Sequence, residues 1–137
     1  MTDFLLDTNI LIRYLRKSQG YDTLLSTLSD SDWLCISVIT RFEILRGLRE
    51  HEREDTFSLL NSLESLIVNS EIADSAGELV RSYRARGITL SEADSLIAAT
   101  ALHHQLSLVT TNSKHFPMSD LVVYQVDDLG KMALRES

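Results

Sequence analysis

Three carboxylates stand where the chain passes between an apolar run and a helical pattern. Asp7 ends the run Phe4-Leu-Leu, Glu43 lies just after the run 33–36, and Asp94 opens the helical pattern of 92–105. Each has a structural reading of its own. Asp7, in Asp-Thr-Asn, is a good helix N-cap or turn residue. Thr40-x-x-Glu43 matches a capping box, whereas a helix starting near Ser37 moves Glu43 to the second turn. There it shares a face with Gly47, whose absent side chain leaves space. Asp94 follows a capping Ser91, so the helix macrodipole alone accounts for it. Its face continues through Ala98 and Ala101, small residues that let the acid approach a sheet edge, while Glu92 points elsewhere into solvent. In a fourth segment, Thr110, Thr111 and Asn112 put hydroxyl and amide groups where the others put acids, and Asn112 equally suits a turn.

Together the three acids describe an acidic pocket. Crowded carboxylates have raised pKa values unless a cation neutralises them. Hard oxygen donors without cysteine or paired histidine select Mg²⁺ or Mn²⁺ over Zn²⁺. Such a cation binds phosphate oxygens and activates water, which makes phosphodiester hydrolysis the natural chemistry.

The elements that must position these acids alternate. Strands are expected at 4–6, 33–36, 66–68, 106–109 and 121–126, and helices at 38 to about 50, 54–63, 72 to about 86 and 92–105. This is an α/β pattern with a mostly parallel, about five-stranded sheet, in which ligands bind at the carboxyl ends of the strands. Gly87, after Arg84 and Arg86, is a helix stop. Gly47 and Gly77 fall inside helical patterns, where glycine costs about 1 kcal/mol against alanine, and imply a close approach by another segment.

With 137 residues, one proline and no linker or repeat, the chain reads as a single domain spanning 1–137. Its 44% hydrophobic content excludes bulk disorder. Thirteen basic against twenty acidic residues give a net charge of -7, which excludes a broad basic platform for RNA and suits a basic protein partner. The single Cys35 sits in an apolar run, and no apolar stretch approaches the roughly 18 residues of a membrane span. A cytoplasmic location without membrane contact is expected.

Four segments carry a resemblance. Leu-Asp-Thr-Asn-Ile-Leu at 6–11, Ser-x-x-Thr-x-x-Glu-x-x-x-Gly at 37–47, Asp-Ser-Leu-Ile-Ala-Ala at 94–99 and Leu-Val-Thr-Thr-Asn-x-x-x-Phe at 108–116 are similar to the motifs of PIN domains, especially the VapC-type toxins of toxin-antitoxin pairs. In order and spacing they cover nearly the whole chain. The resemblance implies a three-layer α/β/α fold and a Mg²⁺-dependent endoribonuclease, with Mn²⁺ as a substitute. It also implies a homodimer held in check by a small antitoxin. By position, Asp7 and Asp94 are its central metal ligands and Glu43 its third acid, bound directly or through water. The family often has a further acid in the last motif. Here no Asp or Glu lies between Thr110 and Phe116, which leaves Asn112 as the candidate for the fourth position.

RNA must also be held. Arg13, Arg16 and Lys17 follow Asp7, Arg46 and Arg49 follow Glu43, and Lys114 and His115 lie in the last motif; they form either a phosphate-binding rim or ordinary solvated faces. The segment 49–63, with Phe57, Leu59, Leu60 and Leu63, is either core or an arm gripping an antitoxin helix, the use the resemblance favours. His51, His103 and His104 share no acid or ligand spacing and read as surface residues. The alternative function is a catalytically degenerate PIN domain that binds RNA or antitoxin. A phosphoaspartate phosphatase fits worse, because Asp7 is followed by Thr8 and Asn9 with no second Asp.

Overall fold

The computed structural model describes residues 3–31 and 33–136. The short apolar runs form β1 (Asp3–Leu6), β2 (Trp33–Ser37), β3 (Glu64–Leu66), β4 (Ser107–Thr110) and β5 (Val123–Val126), with β6 (Met132–Leu134) after them. They make one sheet in the order β3-β2-β1-β4-β5-β6, parallel except for the β5–β6 pair. The helices are α1 (Thr8–Leu15), α2 (Tyr21–Leu28), α3 (Val38–Leu45), α4 (Arg53–Asn61), α5 (Ser70–Arg84) and α6 (Glu92–His104).

Successive strand side chains point to opposite faces, and β1 shows the result. Phe4 and Leu6 enter one core with Ile10, Leu11, Tyr21, Leu24 and Leu60, so α1, α2 and α4 cover that face. Leu5 enters the other core with Ile97, Ala98, Leu108 and Phe116, under α6. Ala99 packs with Ile72 and Ala76 to join α5 to α6. The architecture is therefore the three-layer α/β/α arrangement expected, with Phe4, Leu5, Leu6, Leu108 and Val109 of the two central strands all buried.

Among the described residues the sheet has six strands rather than about five. The added β6, Met132-Ala-Leu, is a three-residue antiparallel edge strand, too short and too exposed for its apolar residues to stand out as a strand. Helix α2, only eight residues long, lies outside the helices expected from sequence and buries Tyr21, Leu24, Leu25 and Leu28. The third strand lies at Glu64–Leu66 instead of 66–68, because β2 pairs Cys35 with Glu64 and Ser37 with Leu66, leaving Ile67 exposed. The chain then enters α5 through Asn69, whose Oδ1 accepts from Ile72 N at 2.9 Å.

Helix α3 stops at Leu45 rather than near residue 50. The close approaches inferred at Gly47 and Gly77 are absent: a Cβ at Gly47 would meet only Ile44 O at 4.0 Å, and one at Gly77 nothing within 4 Å. They occur at Gly20 and Gly130 instead. Both have positive φ (+87° and +76°), and an added Cβ would lie 1.8 Å from Leu129 O or 2.5 Å from Gly20 O, so only glycine lets these two turns touch. Gly87 ends its helix as expected, at φ +78°, with Ile88 N donating back to Tyr83 O at 2.9 Å. Among the described residues, no helix is long and apolar enough to cross a membrane.

Candidate active site

The chain leaves β1 for β2 and β3 on one side, and β4 and β5 lie on the other. Where neighbouring strands part in this way, a crevice opens at their carboxyl ends. Asp7 stands there. Its backbone N donates to Val109 O at 2.9 Å, tying it to β4, and its extended conformation makes it the N-cap of α1. The carboxylate accepts from Thr8 N through Oδ1 at 2.8 Å and from the Thr110 hydroxyl through Oδ2 at 2.7 Å. One side chain thus caps a helix and lines the crevice.

Glu43 arrives from α3. Ser37, not Thr40, caps that helix, with Oγ accepting from Ile39 N at 3.0 Å, so Glu43 occupies the second turn and no capping box forms. It lines a cleft of about 360 Å³ together with Gly47, the space that the glycine was expected to leave. The Thr8 hydroxyl lies 2.6 Å from Glu43 Oε1 and 3.0 Å from the Thr40 hydroxyl. A hydroxyl has one proton, so Thr8 donates to the carboxylate and Thr40 serves as its second partner. Arg46 stands 3.8 Å from the other Glu43 oxygen.

Asp94 lies in the first turn of α6, its N donating to the Ser91 capping hydroxyl at 3.0 Å. Ala98 and Ala101 below it are fully buried, which brings this helix close to the sheet, and Glu92 is exposed as expected. His115 Nδ1 stands 3.6 Å from Asp94 Oδ2.

Burial pushes the Asp7 carboxyl from 3.8 up to about 6; hydrogen bonds from Thr110 and Thr8 oppose this, and the Asp94 and Glu43 charges add to it. Burial also raises Asp94, opposed by Ser91 and His115 and reinforced by Glu43. The three acids therefore sense one another as a cluster. Among the described residues, however, no three His, Cys, Asp or Glu side chains stand close enough to enclose a metal ion as placed. That geometry still fits a hard cation of the Mg²⁺ kind, which keeps several waters and uses only one or two carboxylates plus phosphate oxygens. Each Asp7 oxygen has a single protein donor, so a lone pair remains on both.

The remaining candidates divide. Asn112 hydrogen-bonds to Thr110 through its backbone and to Thr111 through its side chain, with no described hydrogen bond to the three acids. Arg13 is paired with Asp128 at 2.9 Å, and Arg46 leans on Glu43. Arg16 and Lys114 are exposed and make no ion pair among the described residues. Leu59 and Leu60 belong to the core, so that part of segment 49–63 is packing. Thr8 and Thr40 were missed as site residues; they lie inside the motif segments, but nothing local in the sequence marks the bonds they make.

An acid cluster at the switch point of an α/β/α sheet defines the class of protein. The PIN domain model matches residues 4–118, and the chain belongs to that family. It is similar to Ribonuclease VapC19 of Mycobacterium tuberculosis, 36% identical over 83% of this chain and 92% of the relative. Ribonuclease VapC10 of the same organism is 38% identical over 83% of this chain and 86% of its own length. The structure superposes on VapBC2 from Rickettsia felis, solved bound to a DNA fragment from its promoter, with a TM-score of 0.83 and 25% identity, covering 92% of this chain and 100% of that one.

Proposed function

We propose that this chain is a Mg²⁺-dependent endoribonuclease and the toxin of a type II toxin-antitoxin pair, with Mn²⁺ able to replace Mg²⁺. The convergence of Asp7, Glu43 and Asp94 from three separate elements carries this reading, and the relatives named ribonucleases support it. Asp7 and Asp94 are assigned to hold the cation, and Glu43 to hold it directly or through water. When bound, the cation supplies Lewis acidity toward a phosphodiester and lowers the pKa of water. Thr110 and Thr8 fix the rotamers of Asp7 and Glu43, and the Thr110 bond favours the ionised form of Asp7 against the effect of burial. Arg16 and Lys114, free of carboxylate partners among the described residues, supply cations for RNA phosphates.

The antitoxin is assigned to the groove between α1, α2 and α4, about 750 Å³ and lined by Tyr14, Leu15, Gly20, Ser58 and Leu59. Structural relatives described as toxin-antitoxin complexes support such a partner, and the homodimer is carried over with it. Sequencing RNA ends after induced expression tests the activity: new ends at defined positions are expected, all lost in Asp7→Ala. The absence of an acid at Asn112 favours one competing reading, a PIN domain that binds without cleaving. Calorimetric titration of Mn²⁺ separates them, since the nuclease binds the ion and Asp7→Asn does not, while a degenerate pocket leaves both silent.

A further inference from the structure

On the β5 side of Asp7 lies a second cleft, about 440 Å³, within the roughly 300–1,000 Å³ range of small-ligand sites. Its floor and near wall come from α1 through Asn9, Ile12 and Arg16, and its far wall from Thr111 and Asn112 beyond β4. Asn9 is two residues from Asp7, and Thr111 follows the Thr110 that bonds Asp7, so the cleft begins where the acid pocket ends.

The chemistry of its lining is selective. Arg13 also borders the cleft, but Asp128 holds its guanidinium at 2.9 Å and the Tyr21 ring lies 5.5 Å beneath it. Among the described residues Arg16 is thus the cleft's one cation without a carboxylate. The other polar groups are uncharged: the Asn9 and Asn112 amides and the Thr111 hydroxyl. Amides of this kind bond base edges and ribose hydroxyls of unpaired RNA. Asp128 at the rim repels a second phosphate.

The wall is also built to hold still. Gln125 on β5 accepts from Ser113 N at 2.8 Å and donates to Thr111 O at 2.7 Å. Arg135 donates to Ser113 O at 3.1 Å, to Met118 O at 3.0 Å and to Phe116 O. A loop pinned on both sides presents its amide at a fixed place, which favours discrimination over adaptable contact.

We infer that this cleft is a single-nucleotide subsite: Arg16 takes the phosphate adjoining the scissile one, and Asn9 and Asn112 read the base or ribose attached to it. The inference rests on the ribonuclease reading and assigns Asn112 to substrate. It is tested with fluorescein-labelled single-stranded RNA octamers binding to the Asp94→Asn chain across a salt series, and with cut-site sequencing in the otherwise unsubstituted chain. Arg16→Ala is expected to weaken binding about tenfold and to reduce the slope of log K against log salt by about 0.7, the value for one phosphate contact on a single strand. Asn9→Ala and Asn112→Ala are expected to keep the slope and to relax nucleotide preference at one position beside the cut by about fivefold or more. If the unsubstituted chain cleaves while Arg16→Ala keeps the slope, or the asparagine variants keep the preference, the subsite is overturned and the nuclease stands. If the unsubstituted chain does not cleave, both fall.

Discussion

Asp7 is asked to do two things that pull against each other: cap a helix and remain a buried acid. Its carboxyl titrates near 6 in the fold against an ordinary 3.8, so folding favours the neutral form. The stabilisation from that preference is complete below pH 3.8 and lost as pH rises through about 6. Above that, the buried charge costs about 3 kcal/mol relative to an uncharged isostere. Asp7→Asn, which still caps, should therefore melt higher than the parent at pH 7.5 in EDTA and nearly with it at pH 3.5. A thermal melt showing equal gaps at both values would contradict this. Thr110 pulls the same pKa down through its 2.7 Å bond. Thr110→Val should raise it, moving the acid limb of the cleavage pH profile to higher pH; an unmoved limb would remove Thr110 from the site. The acids were readable because each sits beside an apolar run in its motif. The threonine bonds were not, because they join residues 32, 35 and 103 apart in sequence.

Among elements, burial on both faces made β1, β2, β4 and β5 visible to within about two residues as continuous apolar runs. The short edge strand β6 and the two-turn α2 lacked that signal; α2 instead buries Tyr21, Leu24, Leu25 and Leu28 at helical spacing, and two turns that meet backbone to backbone tie it to the segment before β6. Gly20 and Gly130 touch back to back, and Tyr21 donates its hydroxyl to Asp127 O at 2.8 Å. Gly130→Ala adds a Cβ 2.5 Å from Gly20 O at φ +76°. It should destabilise the chain by about 1–3 kcal/mol or more in urea unfolding; an unchanged midpoint would mean the two turns separate freely. The same hairpin places Asp128 on Arg13. Asp128→Asn should release that guanidinium, tightening RNA binding and steepening its salt slope by about 0.7.

For the whole molecule, the net charge of -7 and the proposed polyanionic substrate are reconciled by location. The acids of the pocket are counted in that charge, and a bound divalent cation offsets them locally. With Arg16, Lys17, Arg49 and Lys114 as the candidates that make no ion pair among the described residues, RNA binding should show a shallow salt dependence, with a slope no steeper than about -3 at roughly 0.7 per contact. A slope steeper than about -5 would reveal a basic surface that this fold does not present. Metal-dependent cleavage at the Asp7 pocket is tested by following single-stranded RNA with the antitoxin-free chain over a Mg²⁺ titration, beside Asp7→Asn, Glu43→Gln and Asp94→Asn. Cleavage should rise with Mg²⁺ and vanish in EDTA, be abolished in both aspartate variants and be strongly reduced in Glu43→Gln, with all three folded. Full cleavage by Asp94→Asn, or by the parent in EDTA, would contradict this.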